Sequence, residues 1–201
     1  MPLPIERPAD WDTAYQNAKT PWDLGKPAPA LVAWLAGKPT PGRVAVPGCG
    51  RGHDALALAE AGFEVTGIDF APTAIATARE TAASRHLQLH FEQSDFFALG
   101  PEHTGAYDYV FEHTCYCAIP PERRDDYVAT AARLLKPGGK LVAVFFTHKE
   151  PGGPPFATTE AEVRERFGCL FDIAELGTTE HSVRSRRGEE TFGVLVRRNG
   201  V

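Results

Sequence analysis

Three glycines and one aspartate are spaced as in sites that bind nucleosides. The segment VAVPGCGRGHD places Gly48, Gly50 and Gly52 directly after a short apolar run. Glycine lets a loop turn sharply and lets ligand atoms approach backbone N–H groups closely. Asp69 follows about 20 residues further on, in GIDF, where a carboxylate can accept hydrogen bonds from ribose hydroxyls. Together the glycines and the aspartate predict a nucleoside ligand, although each alone also suits a purely structural turn or strand end.

Polar residues further along the chain distinguish between two nucleoside cofactors. A dinucleotide site favours the spacing GxGxxG, whereas this chain has GxGxG. S-adenosylmethionine has no phosphate, and its site needs a polar and an apolar residue for the adenine, which Asp95 and Phe96 supply after a predicted third strand. Glu112 ends a predicted fourth strand, where an acid would lie near the tail or the cation of this ligand. We therefore predict S-adenosylmethionine as the cofactor, with a helix N-cap as the alternative role for Asp95 and a loop carboxylate for Glu112.

The elements that must position these residues alternate between strands and helices. Apolar runs predict strands at residues 43–48, 64–70, 87–96, 107–113 and 140–148, and helical patterns occupy residues 53–63, 71–85 and 121–140. Such alternation predicts an α/β fold, a Rossmann-like, seven-stranded, mostly parallel sheet with helices on both faces. Residues 171–199 predict two strands around a charged turn, which would close the sheet as an antiparallel hairpin.

Length and composition narrow the class of protein. The 201 residues suit a single domain, residues 1–201, with enough chain to bury a core. A net charge of −5 gives no reason to expect binding to nucleic acid or to an anionic membrane. The N-terminus has no secretory pattern and no apolar run reaches the roughly 20 residues of a membrane span, so we expect a cytoplasmic protein.

The cysteines and one arginine cluster suggest no further chemistry. The four cysteines form no CxxC pair, which favours reduced, buried thiols over a metal site. Arg184, Arg186 and Arg187 are followed by Glu189 and Glu190, a pattern that predicts a solvated turn rather than a phosphate-binding patch.

Four segments of the chain resemble a known family. They are VPGCGRGHDALALAEAG, TPWDLGKPAPAL, YDYVFEHTCYCAIPPERRDDYV and GGPPF. In order, over roughly residues 11–160, they resemble the thiopurine methyltransferase family, and especially its plant halide/thiol methyltransferase branch. The resemblance implies the class I methyltransferase fold, S-adenosylmethionine as methyl donor, a small-molecule acceptor and a monomer.

The resemblance also implies which residues bind the cofactor. Residues 1–40 would form an arm that folds over the cofactor as a lid, with an aromatic face favourable beside the sulfonium by roughly 1 kcal/mol or more. The alternative role for Trp22 is to plug the core beneath a wrapping segment. The motifs and the resemblance together predict the cofactor-binding residues Trp11, Tyr15, Trp22, Gly48, Gly50, Asp69, Phe70, Asp95, Phe96 and Glu112.

The acceptor site is where the chain departs from the plant branch. That branch has Asp-Tyr where this chain has Glu112 and His113, and thiopurine-acting relatives carry an arginine near position 113. We predict His113 and Tyr116 as catalytic residues that line the acceptor site, with residues 150–156 closing over it. His113 could instead be a structural loop histidine.

These predictions define one function and two alternatives. We expect methyl transfer to a small soft nucleophile, such as a thiol, sulfide, halide or thiopurine-like group. A thiol with a pKa near 8.5 is partly ionised at neutral pH, so a strong general base is not obligatory. The alternatives are an NAD-dependent oxidoreductase and a non-catalytic module that binds S-adenosylmethionine.

Overall fold

The computed structural model describes residues 7–200. Residues 1–6, the first part of the predicted arm, and residue 201 lie outside the described residues. The helices are α1 (Pro8–Gln16), α2 (Pro29–Ala36), α3 (His53–Glu60), α4 (Pro72–Ser84), α5 (Arg124–Leu134) and α6 (Glu160–Phe167). The strands are β1 (Arg43–Pro47), β2 (Glu64–Asp69), β3 (His90–Gln93), β4 (Tyr107–His113), β5 (Leu135–Phe146), β6 (Phe171–Thr178) and β7 (Glu190–Arg197).

The strands form one seven-stranded sheet in the order β3-β2-β1-β4-β5-β7-β6. Neighbouring strands among the first five pair in parallel, whereas β7 is antiparallel to both β5 and β6. The predicted α/β fold with a terminal antiparallel hairpin is therefore confirmed. The order reverses direction at β1, and in such sheets ligands bind beyond the carboxyl ends of the strands near this point.

Both faces of the sheet are covered, which explains why β5 is continuously apolar from Leu141 to Phe146. Leu141, Ala143 and Phe145 pack into a cluster with residues of α5 and α6. Val142 and Val144, which point to the other face, pack into a second cluster with residues of α2, α3 and α4. Because side chains alternate along a strand, a strand between two cores must be apolar at every position.

Several boundaries differ from the predicted ones. The third strand is shorter than expected because the Leu87 N–H still bonds to Ala82 O at the end of α4, and Asp95 starts a 3₁₀ turn at Phe96–Ala98. Strand β5 begins at Leu135, directly after α5, so the segment predicted to end the helix belongs to the strand. Helices α2 and α6 were not predicted. Thr159 caps α6 by accepting a hydrogen bond from the Glu162 N–H.

The structure also bears on the cysteines and on membrane insertion. All four cysteines are free, but only Cys117 is fully buried; Cys49 and Cys115 are partly buried, and Cys169 is exposed, so the expectation of a buried thiol is wrong for Cys169. Among residues 7–200, no group of three or more His, Cys, Asp or Glu side chains is arranged to hold a metal ion. No helix within the described range has the length and apolarity needed to cross a membrane.

Candidate active site

A cavity of about 450 Å³ opens at the carboxyl ends of the parallel strands. Its wall includes eight of the predicted cofactor-binding residues: Trp11, Tyr15, Trp22, Gly48, Asp69, Phe70, Asp95 and Phe96. The arm thus contributes three aromatic side chains, and the ends of the first three strands contribute the remainder. A smaller crevice beside the cavity is lined by Gly50 and His113.

The glycine loop after β1 needs glycine at Gly48 for two reasons. Its φ of +58° is strained for other residues, and a Cβ there would lie 2.9 Å from the Sγ atom of Cys115. Gly50 has a different role from the predicted one, because its N–H donates to Oδ2 of Asp69 (2.9 Å) and it does not line the cavity. The loop is therefore shaped so that backbone, and no side chain, borders the cavity at Gly48.

Asp69 presents a buried carboxylate to the cavity. Its Oδ2 accepts from Gly50 N–H, and its Oδ1 accepts from Ala71 N–H at 2.9 Å. Burial raises the pKa of this carboxyl, although these backbone N–H groups lower it in part. Each carboxylate oxygen can still accept a further hydrogen bond, so two adjacent hydroxyl groups, such as those of a ribose, fit this position.

An aromatic slot lies beside Asp69. Phe70, Phe96 and Phe97 border the cavity, with Phe96 and Phe97 in edge contact at 5.7 Å between ring centroids. Asp95 is exposed at the rim, and its carboxylate accepts from Phe97 N–H (2.9 Å). The N-cap role left open for Asp95 is therefore present, and the same side chain also borders the cavity. A flat, apolar ring with polar edges fits such a slot.

The arm brings three aromatic residues together over the cavity. Trp11 and Tyr15 both pack edge-on against Trp22, with ring centroids 5.0 Å and 5.7 Å away respectively. The Trp22 Nε1–H donates to Tyr15 Oη at 3.2 Å. Trp22 is only partly buried and borders the cavity, which favours the lid over the core-plug interpretation. Aromatic faces stabilise a cation in a site from which water is excluded.

Glu112 does not reach the cavity, contrary to the prediction that it binds the cofactor. It is completely buried, where its carboxylate accepts hydrogen bonds from Tyr116 N–H (2.8 Å) and Tyr127 Oη–H (2.5 Å). Burial raises its pKa to about 7 despite these two donors. The side chain points to the face of the sheet covered by α5, so it supports the turn after β4 from within the core.

The two predicted catalytic residues also lie away from the cavity wall. Tyr116 is buried in an aromatic cluster with Tyr127, Phe145 and Phe167, because the chain turns into a 3₁₀ helix at this point. The Nδ1 atom of His113 lies 2.7 Å from Oδ2 of Asp54.

The pKa of His113 reflects this pairing. Burial lowers it, but the Asp54 carboxylate raises it by more, so the net shift is upward. His113 is thus occupied by internal partners, and neither it nor Tyr116 is placed to take a proton from an acceptor in the cavity.

Arg186 borders the cavity, although its sequence pattern did not indicate this position. The predicted solvated turn is wrong at this position, since Arg186 is buried and lines the cavity. Its Nη2–H donates to Trp22 O (2.8 Å), and Glu190 lies 3.4 Å from Nη1. The strand order explains its position: β7 lies between β5 and β6 and is antiparallel to both, so β6 runs parallel to β5 and the β6–β7 connection lies at the carboxyl edge of the sheet. The sequence pattern carried no signal for this position of Arg186.

The predicted lid at residues 150–156 does border the cavity through Pro154 and Pro155. This loop is fixed from below by buried Arg124, which donates to Phe156 O and Ala157 O. The Phe156 N–H also donates to Cys117 O at 2.7 Å. The loop is therefore tied to the core beneath the cavity.

The fold and this site together define a methyltransferase that uses S-adenosylmethionine. The buried carboxylate, the apolar slot and the aromatic arm match the three parts of this cofactor, its ribose, its adenine and its sulfonium. The chain belongs to the thiopurine S-methyltransferase (TPMT) family, whose model matches residues 6–199.

Comparisons with individual proteins agree with this assignment. The chain is 33% identical over 188 residues to probable thiol methyltransferase 2 of Arabidopsis thaliana, covering 91% of this chain and 82% of the relative. It is also 33% identical over 190 residues to thiocyanate methyltransferase 1 of the same organism, with the same coverage of 91% and 82%. A thiopurine S-methyltransferase of Nitrosospira multiformis is 32% identical, covering 70% of this chain and 71% of the relative.

Solved structures show the same architecture. One, described for the conversion of a disulfide bond into a thioacetal group during echinomycin biosynthesis, superposes with a TM-score of 0.81 at 25% identity and covers 95% of this chain and 93% of the other. Magnesium protoporphyrin IX methyltransferase from Synechocystis with bound S-adenosylmethionine has a TM-score of 0.67 at 25% identity, covering 94% and 83%.

Proposed function

We propose that this protein transfers a methyl group from S-adenosylmethionine to a small, soft, anionic nucleophile such as a thiolate or hydrosulfide. The single observation that carries the proposal is the charge pattern of the cavity wall. Among the described residues that line it, Arg186 is the only cationic side chain, and no histidine borders it. A wall of this kind favours a nucleophile that is already an anion over one that must be deprotonated by the enzyme.

The sheet order supports a division of the cavity into two halves. Asp69 and Asp95 follow β2 and β3, on one side of β1, and would hold the adenosine. Phe146 ends β5 on the other side, and Arg186 approaches from the hairpin, so the acceptor would bind there. The names of the plant relatives, thiol and thiocyanate methyltransferase, agree with an acceptor of this class.

The reaction requires little chemistry from side chains. When bound, S-adenosylmethionine supplies a methyl group on a cationic sulfur, which is an excellent leaving group. The chain would contribute alignment of the acceptor and exclusion of water. Trp11 and Trp22 would cover the cavity, and Arg186 would stabilise the anionic acceptor. The thiol proton would be lost to solvent before binding.

An acceptor screen with a labelled methyl donor tests this proposal. We expect methylation of small thiols and hydrosulfide, with volatile and non-volatile products measured separately. R186M should lower kcat/KM for these acceptors by about 10- to 100-fold, because a charge-assisted contact is worth roughly 1.5 to 3 kcal/mol. R186K, which keeps the charge, should lose less.

Two outcomes would reject the proposal. Binding of the cofactor without turnover of any thiol, sulfide, iodide, selenite or tellurite would favour a non-catalytic module. Equal loss in R186M for anionic and for neutral acceptors would show that Arg186 does not act through its charge on the acceptor.

A further inference from the structure

Three side chains from separate elements form a continuous chain of contacts beneath the arm. Oδ1 of Asp54, in the first turn of α3, accepts from Ala28 N–H at 2.7 Å. Its Oδ2 lies 2.7 Å from His113 Nδ1, and the Nε2 atom of the same imidazole lies 3.3 Å from Arg186 Nη1. Arg186 then donates through Nη2 to Trp22 O at 2.8 Å.

The two ends of this chain of contacts are attached to one short segment of the arm. Trp22 and Ala28 are six positions apart in the sequence, and both are held through backbone atoms. Because a guanidinium only donates, the contact with Arg186 requires the neutral imidazole, in which Nε2 accepts from Arg186 and the proton on Nδ1 faces the Asp54 carboxylate. All three side chains are largely buried, so their hydrogen bonds are shielded from competing water.

We propose that Asp54, His113 and Arg186 form a clasp that holds residues 22–28 of the arm closed over the cavity, with His113 as a positioning residue. The proposal rests on the proposed role of Trp22 at the cofactor. His113 fixes the orientation of the Arg186 guanidinium, which would otherwise be constrained at Nη1 by Glu190 alone, at 3.4 Å. The clasp also explains why a histidine at the end of β4 need not touch the substrate.

Substitutions at His113 separate this role from simple packing. In H113Q the amide oxygen occupies a position close to that of Nε2 and can still accept from Arg186. In H113N the amide lies near the position of Nδ1 and reaches only Asp54. H113L makes neither contact. A clasp therefore predicts that glutamine preserves function better than asparagine, and that leucine preserves it least.

The measurements are the Kd for S-adenosylhomocysteine and amide hydrogen exchange of residues 20–28. Neither needs an acceptor, so both remain informative if the proposed acceptor class is wrong. We expect H113L to weaken binding about tenfold and to speed exchange in residues 20–28 but not in β6. The Kd of H113Q for S-adenosylhomocysteine should stay within about threefold of that of the unsubstituted protein. In H113L, KM for the cofactor should change more than kcat.

Two results would overturn the proposal. One is unchanged binding and exchange in H113L, and the other is an equal loss in H113Q and H113L. Should H113L fail to fold, D54N gives the same test, because Ala28 N–H and His113 Nδ1 contact different oxygens of Asp54 and the asparagine replaces one of these acceptors by an NH2 donor. Unchanged exchange of residues 20–28 in D54N would equally reject the clasp.

Discussion

At the scale of single residues, Glu112 and His113 show how one strand serves two faces of the sheet. They are adjacent in β4, so their side chains point in opposite directions. Glu112 meets Tyr127 of α5, and His113 meets Asp54 of α3. Each polar side chain is buried with a partner, as the cost of desolvation requires. Neither carboxylate nor imidazole is therefore available to the cavity.

The raised pKa of Glu112 gives a prediction about stability and pH. Because burial raises this pKa from 4.5 to about 7, the folded protein keeps a proton between these values that the unfolded chain releases. The stability due to the protonated carboxyl is complete below pH 4.5 and declines by about 1.4 kcal/mol per pH unit up to pH 7. The glutamine of E112Q does not titrate, so its contribution to stability does not change over this pH range.

Urea unfolding at a series of pH values measures this effect. The free energy of unfolding of the unsubstituted protein, minus that of E112Q, should fall by about 3 kcal/mol across the window. The exposed Glu122, substituted as E122Q, is the matched control and should give no such trend. A constant difference between the two proteins at all pH values would contradict the prediction.

At the scale of elements, the arm is joined to the domain mainly by carboxylates. Asp12 of α1 accepts from Thr73 N–H at the start of α4 (2.8 Å), where the helix dipole favours an anion. Asp23 forms an ion pair with Arg51 at 2.6 Å, and its Oδ1 lies 3.1 Å from His53 Nε2. Burial would raise the pKa of Asp23, but hydrogen bonds from His53, Gly25 and Arg51 hold it well below its ordinary value. The ionised form therefore persists throughout the neutral range.

Removing this attachment should loosen the arm without altering the fold. We expect D23A to raise the Kd for S-adenosylhomocysteine about tenfold, since a partly buried charge-assisted contact is worth roughly 1.5 kcal/mol. Calorimetric titration measures the change. The matched control is D126A, which removes an exposed aspartate of α5 lying 3.7 Å from Arg123. Equal affinities for D23A and D126A would show that the contacts of Asp23 do not hold the arm.

At the scale of the whole molecule, two hydrophobic cores fix the sheet while the cavity remains at its edge. Tyr15, Trp22 and Phe70 form a third, smaller cluster with Ala71 and Ala74, and this cluster borders the cavity. A ligand bound there would add contacts to this small cluster. A ligand that binds only the folded state stabilises it by mass action.

The midpoint of thermal unfolding, Tm, should therefore rise when the cofactor or its product binds. S-adenosylhomocysteine at one hundred times its Kd should add about 2.7 kcal/mol, which for a chain of this size raises Tm by about 5 to 10 °C. NAD should cause no shift. D69A should lose the shift at the same ligand concentration, whereas D172A, at an exposed aspartate of β6, should keep it. A shift with NAD and none with S-adenosylhomocysteine would contradict the assignment.

The sequence by itself determined the alternation of strands and helices from β1 to β5, the terminal hairpin, the glycine loop and the position of Asp69 at the end of β2. The strand and helix periods are local features, because each depends on the spacing of apolar side chains over a few neighbouring residues. The residues that follow parallel strands come together because the carboxyl ends of these strands lie at one edge of the sheet. These features sufficed for the fold and for placing Gly48, Asp69, Asp95 and Phe96 at the cavity. The aromatic arm over the cavity was predicted from the resemblance to the family, because the spacing of its residues alone did not indicate it.

Only the tertiary structure decided which polar residues reach the cavity. Both faces of β4 are buried, so its sequence could not indicate that Glu112 turns towards α5 and His113 towards α3. Arg186 is far in sequence from Trp22 and His113, and its burial depends on their arrival from other elements. A buried guanidinium is stable only when hydrogen-bond and charge partners surround it. The partners Trp22 and His113 come from segments far away in the sequence, so the residues next to Arg186 could not predict its burial.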